Sequence, residues 1–220
     1  MPLDLAAAVQ SPWLTWRSLT WFGDSALLLP AGAAVGFALL FTRGWFMLAF
    51  RWALAFGGVG FVVLATKVAF VGWGIGSAAA DFTGISGHTA LASVFWPAAC
   101  WMATDSRSRS VRRVCIVFGA LLAAAVGYSR LVLDAHSASE VASGLTLGYL
   151  ASAWFITGAS RVIRSAISLA PVALLVTAAL VVLLHGRPAP TTPLIERVVV
   201  RILGISQPFT RHDLHRRYRS

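Results

Sequence analysis

Long apolar runs, separated by short polar or arginine-rich breaks, dominate this chain. The first extends from Ser25 to Thr42 and the second from Trp52 to about Val71, with Arg43 and Arg51 bracketing a short loop between them. The third covers His88 to Ala103, the fourth Val114 to Tyr128, the fifth Val141 to Thr157 and the sixth Ala166 to Leu184. A hydrocarbon core roughly 30 Å thick needs about 20 helical residues per crossing, so the pattern predicts an all-α, polytopic transmembrane bundle of about six spans. Pro97 and Pro171 should kink their helices rather than end them, because neighbouring helices can satisfy the freed backbone groups. Among the breaks, Gly72 to Ser86 holds four glycines and Asp81 and predicts a re-entrant or surface loop. The stretch from Asp105 to Arg113 is too charged for hydrocarbon, and Ser129 to Glu140 reads as a polar turn.

The flanks differ from this middle, and three regions are expected: an interfacial N-terminal segment (1–24), the transmembrane domain (25–185) and a basic C-terminal tail (186–220). Pro12 to Phe22 includes Trp13, Trp16 and Trp21, and indole rings favour the head-group layer. Leu194 to Leu203 places Arg197 and Arg201 four apart among apolar residues, which suits a short interfacial amphipathic helix ahead of a basic end. Asp4, not a basic cluster, opens the chain, and the first apolar run follows Asp24, so a retained first span is expected rather than a cleaved leader.

Composition sharpens this reading. Hydrophobic residues make up 58% and charged ones 12%, against about 25% charged in soluble domains, so water is not the main solvent. A net charge of +10 raises nucleic acid as a partner, but the arginines lie between apolar runs and in the tail rather than on one soluble face. Anionic lipid head groups are the expected partner, and nucleic acid is not. Arg43, Arg51, Arg107, Arg109, Arg112, Arg113, Arg161 and Arg164 occupy three alternate loops, which the positive-inside rule places in the cytoplasm. The loops Gly72 to Ser86 and Ser129 to Glu140 then share the outer face, as on a bacterial inner membrane, and so do both termini if six spans form. Cys100 and Cys115 have no metal-ligand spacing around them and read as packing residues. No cofactor and no metal are expected.

Those two loops, and the end of the second run, hold the candidate chemistry. Lys67 is the one lysine among 18 Lys and Arg residues, at the far end of an apolar run, where an ammonium either snorkels to the surface or meets an anion. Ser86-Gly87-His88-Thr89 stands where the chain re-enters the membrane, so unpaired N–H groups and the positive end of the helix dipole can hold an anion. A plain serine cap is the competing explanation. Ser129-Arg130, His136 and Glu140 form the third cluster. His136 and Glu140, four apart, share a helical face, so the carboxylate can fix the imidazole tautomer and leave the other nitrogen free to attack. Ser137-Ala138-Ser139-Glu140 also fits a capping box, in which Glu140 merely closes a helix start. Asp81 and Asp134 read as loop or capping residues, while His212 and His215 read as solvent-facing tail residues outside the site.

Together, and in this order, the three clusters resemble the type 2 phosphatidic acid phosphatase superfamily, whose motifs are K-x6-R-P, P-S-G-H and S-R-x5-H-x3-D. Lys67, Ser86-Gly87-His88, and Ser129-Arg130 with His136 match them, over spans from about Trp52 to Thr157. The Arg-Pro of the first motif is Gly74-Ile75 here, the Pro of the second is Ile85, and the final Asp is Glu140, a longer carboxylate that can still orient a histidine. The resemblance implies catalytic roles for His136, His88 and Glu140 and phosphate binding by Lys67, Ser86, Gly87 and Arg130. In the implied scheme His136 attacks phosphorus, His88 protonates the leaving alcohol, Glu140 orients His136, and water releases phosphate without a metal. The implied substrate is an amphiphilic phosphorylated lipid. Phosphotransfer to another acceptor, and a non-catalytic protein that binds lipid phosphate, stand as alternatives.

Overall fold

The computed structural model describes residues 16–40, 45–104, 107–159 and 191–219. Their helices are, in order, α1 (Trp16–Thr20), continued by a 3-10 turn at Trp21–Gly23; α2 (Ser25–Leu39); α3 (Trp45–Trp52), leading through a π turn at Ala53–Gly57 into α4 (Gly58–Trp73); α5 (Gly87–Ala103); α6 (Arg109–Val132); α7 (Ala138–Ala159); α8 (Thr191–Leu203); and α9 (Arg211–Arg219). The all-α bundle expected from the apolar runs is the fold observed. Trp16–Leu39, Phe46–Trp73, Arg109–Val132 and Ala138–Ala159 are each long and apolar enough to cross a membrane, and the chain is an integral membrane protein. The sixth apolar run with Pro171, and Trp13, Arg43, Asp105, Arg161, Arg164, His185 and Arg187, lie outside the described residues.

Two boundaries differ from expectation, each for a local reason. Arg51, expected at the edge of a loop, lies inside α3, where its guanidinium stacks 4.0 Å over the Trp154 ring and donates to the Trp154 carbonyl at 2.7 Å. The charge is thus housed against α7 rather than in water. Helix α6 starts earlier and ends later than the fourth apolar run, because Ser108 caps it by accepting from Val111 N–H, and the basic residues Arg109, Arg112 and Arg113 form its first turns. The polar turn that follows shrinks to residues 133–137.

Helix α5 sits at the centre of the bundle, and nearly all its residues from Thr89 to Phe95 are fully buried. It gets there because its neighbours are narrow. Gly119, Ala123 and Gly127 recur every fourth residue on α6, as do Gly144, Gly148 and Ser152 on α7. A Cβ at Gly148 would lie 2.4 Å from Ser93 Cβ, and one at Gly119 would lie 2.7 Å from the Trp96 carbonyl oxygen. In lipid, where apolar burial alone gives no reason for helices to associate, such close approach supplies dispersion contact along the whole interface. Trp52, Phe56, Phe95 and Phe155 interlock beside it, and the Trp52 indole donates to the Gly32 carbonyl at 2.8 Å.

Because α5, α6 and α7 run antiparallel in succession, the start of α5, the end of α6 and the start of α7 meet at one end of the bundle, with Arg109, Arg112 and Arg113 at the other. The C-terminal segment joins the first of these ends. Helix α8 lies along α4, so close that a Cβ at Gly72 would meet Leu203 Cδ1 at 2.6 Å, and a second small core forms from Phe70, Val71, Val199 and Leu214. The basic end expected of the tail is therefore helical from Arg211 to Arg219 and docked through Leu214.

Candidate active site

Lys67 is brought to this end by the way α4 stops. Gly74 takes a left-handed conformation (φ 68°), which favours glycine, and its N–H closes on the Phe70 carbonyl at 2.8 Å. The chain then turns back through an antiparallel bridge between Ser77 and Phe82, and Gly84 packs over the backbone of Lys67. Ile85 N–H donates to Thr66 Oγ1 at 3.2 Å, and Ser86 N–H to the Glu140 carbonyl at 3.1 Å. That last bond ties the start of α5 to the start of α7. After α6, the N–H groups of Ala135 and His136 both close on the Arg130 carbonyl, at 3.0 and 3.3 Å. His136 is thereby set beside Arg130.

A cavity of about 490 Å³ results, lined by Lys67, Gly87, His88, Arg130 and His136 at its polar end. Leu29, Phe56, Val63, Leu64 and Leu91 form its apolar wall, closed on one side by Thr191, Leu194 and Ile195 of α8. Residues from three distant stretches thus surround one space. Ser86 is fully buried, accepts from Thr89 Oγ1 at 2.9 Å and is not among the residues lining the cavity. Its side chain makes no cap bond to α5, so the N–H groups of the first turn, Gly87 and His88 among them, have no acceptor within the helix or from that serine.

Behind the cavity, His136 Nδ1 lies 2.6 Å from Glu140 Oε2, and Glu140 is fully buried. The capping reading holds as well: Ser137 N–H donates to Glu140 Oε2 at 3.3 Å, and Glu140 N–H to Ser137 Oγ at 3.4 Å. Cap and orienting carboxylate are one side chain, and a single oxygen, Oε2, takes both bonds. Oε1 accepts from the Thr83 N–H and hydroxyl at 2.8 and 2.6 Å and from Arg211 Nη2 at 2.8 Å. Burial lowers the His136 pKa; the bond to Glu140 opposes this, and the positive charges of Lys67 and Arg130 reinforce it. With Nδ1–H donating to the carboxylate, the neutral ring presents an unprotonated Nε2.

Several partners were not legible in the sequence. His88 Nε2 lies 3.4 Å from Asp24 Oδ2, a buried carboxylate whose other oxygen caps α2 by accepting from Ala26 N–H at 2.8 Å. Asp24 could have been found as a helix cap, but nothing local points it at His88. Arg130 Nη1 donates to Thr20 Oγ1 at 2.9 Å, which brings the N-terminal turn into the same cluster. His215, expected in solvent, has Nε2 2.8 Å from Asp81 Oδ1, whereas His212 is exposed as expected. Asp81 pairs with Arg211 and His215 of the tail.

The family model described as the PAP2 superfamily matches residues 75–164, a stretch that contains the second and third clusters. The chain belongs to the PAP2 superfamily. It is also 42% identical over 206 residues to the "Uncharacterized 22.5 kDa protein in cps region" of Klebsiella pneumoniae, covering 92% of this chain and 99% of that one. No solved structure matches it. PAP2 membership brings phosphatase-type chemistry on phosphate esters, and the departures from the PAP2 motifs now have structural settings. Glu140, in place of Asp, reaches His136 at hydrogen-bonding distance. At Gly74, a Cβ would lie 2.9 Å from the Phe209 ring, so the C-terminal segment occupies the space where a side chain would start.

Proposed function

We propose that this PAP2 protein hydrolyses a phosphate ester or diphosphate on a membrane lipid through a phosphohistidine at His136, without a metal. The observation that carries the reading is a histidine with Nδ1 held by a buried carboxylate, facing a cavity with two cations and a second histidine at one end and apolar walls at the other. A phosphate monoester dianion bears about two negative charges, which Lys67 and Arg130 balance, and the N–H groups of Gly87 and His88 add donors. Ser86 contributes through the backbone bond that sets the start of α5.

His136 Nε2 attacks phosphorus, the bond to the leaving oxygen breaks, and His88 gives that oxygen its proton. His88, now neutral, takes a proton from water as the water oxygen attacks the phosphohistidine; the N–P bond breaks and inorganic phosphate leaves. Glu140 keeps the His136 ring in one tautomer and stabilises the charge it gains. The apolar wall accommodates acyl or prenyl chain while the phosphate reaches the cations, which is why the substrate is assigned as a lipid. Arg51, Arg109, Arg112 and Arg113 lie toward the opposite end, which by the positive-inside rule supports a site on the outer face of a bacterial inner membrane.

The test is phosphate release by detergent-purified protein from phosphatidic acid, phosphatidylglycerol phosphate and polyprenyl diphosphate, with and without EDTA. At least one lipid should be turned over, at a rate that EDTA does not change and that is lost in H136A. Binding of the same lipids with no phosphate released from any of them would refute hydrolysis, and turnover restored by magnesium after EDTA would refute the metal-free scheme.

A further inference from the structure

Glu140 is an ionised group with almost no access to water, and most of its partners are neutral: the Thr83 N–H and hydroxyl, the Ser137 N–H and the His136 ring. The cation that touches it comes from the far end of the chain. Arg211 Nη2 donates to Glu140 Oε1 at 2.8 Å and to Thr83 Oγ1 at 3.3 Å, while Nη1 donates to the Asp81 carbonyl at 3.1 Å and to its carboxylate. A buried carboxylate left without a cation is costly, and it relieves the cost by taking a proton or turning away. Either change would cost His136 its Nδ1 acceptor.

The delivery of Arg211 does not depend on that contact alone. Thr210 caps α9 through Asp213, its hydroxyl donating at 2.5 Å; Leu214 is buried in the second core; and His215 holds Asp81. Phe209 packs edge-on against Phe70, its centroid 5.5 Å away, donates its N–H to the Val71 carbonyl at 2.9 Å, and lies over Gly74. The bare, left-handed Gly74 is what lets Phe209 seat, and Arg211 follows two residues later.

We infer that Arg211 is a positioning residue of the active site, holding Glu140 charged and in place for His136, and that α9 is the element that delivers it. The inference rests on His136 as the nucleophile. A buried hydrogen bond to a charged group is worth enough that R211Q should lower kcat roughly ten- to a hundredfold. KM should stay within about twofold, because the contact acts on the nucleophile and not on bound substrate. R211K, which keeps the charge, should recover part of the loss. R216Q, whose side chain pairs with Asp213 on the exposed face of α9, should leave kcat unchanged.

The deciding measurement is a double-variant cycle on full-length protein in detergent, with p-nitrophenyl phosphate as the probe and thermal unfolding followed in parallel. Because Arg211 acts through Glu140, R211Q should cost almost nothing further in an E140Q background. If R211Q does not fold, R211K in the same cycle should show the same loss of effect. Effects that multiply in the double variant, a rise in KM alone, or an unchanged kcat in R211Q while H136A is inactive would each overturn the positioning role and leave the nucleophile standing. Equal turnover by wild type and H136A would overturn both.

Discussion

The two histidine–carboxylate pairs of the candidate site are built in opposite ways. His136 and Glu140 lie four residues apart at the start of one helix, 2.6 Å from each other, with the carboxylate fully buried and both oxygens filled by backbone, hydroxyl and guanidinium donors. His88 and Asp24 come from separate helix starts, lie 3.4 Å apart, and share the carboxylate with the cap of α2. The difference matches the proposed division of labour. A nucleophile needs one tautomer and one orientation, which a saturated carboxylate enforces. A proton donor must release and regain its proton within a turnover, and a looser, shared carboxylate permits that.

Breaking the core of this arrangement should have the largest effect. H136A should lower phosphate release by at least about 10⁴-fold, since it removes the group that forms the covalent intermediate, and K67A by roughly two to four orders of magnitude, since Arg130 alone cannot balance a dianion. The carboxylates then rank the two pairs. E140Q should cost roughly 10³- to 10⁴-fold in kcat, because the amide can hold the wrong tautomer, and D24N roughly ten- to a hundredfold. Kinetics on the purified variants would invert the comparison if D24N proved the more damaging. The pH profile sharpens it further. His136 attacks only when neutral, and burial with two nearby cations lowers its pKa, so the acid limb of kcat/KM should lie below histidine's ordinary value of about 6.5. An acid limb above that value would contradict the assignment. The smallest effect belongs to the cap: S137A should reduce unfolding stability by about 1 kcal/mol while turnover changes only a few-fold, because the backbone N–H of residue 137 still holds Glu140.

Much of this site was readable before any coordinates. The i,i+4 spacing of His136 and Glu140, the sole lysine at the end of an apolar run and the Ser86-Gly87-His88 helix start are local signals, and helix geometry converts each into a position. The capping box and the orienting carboxylate looked like rival explanations of Glu140, yet Oε2 accepts from the Ser137 N–H and meets His136 Nδ1 together, so one side chain serves both. Asp24, Thr20, Thr83 and Arg211 gave no such signal, because their partners lie in other helices and no spacing links them. The tail misled for the same reason. Arg211 and His215 look like solvated charges in a basic stretch until Asp81 and Glu140 are found facing them.

The sequence by itself determined that this is a membrane bundle, roughly where its described apolar helices run, and which few polar residues interrupt the hydrocarbon, because lipid forces backbone hydrogen bonds inside each helix and so makes local composition decisive. Only the tertiary structure decided which carboxylate serves His88, that Ser86 keeps its hydroxyl off the cavity, and that the C-terminal helix closes on Glu140. Those outcomes depend on the close helix packing permitted by Gly119, Gly127, Gly144 and Gly148 and on the seat that Gly74 leaves for Phe209. Contacts of that kind are set by how three-dimensional surfaces meet, which the spacing of residues along one chain does not encode.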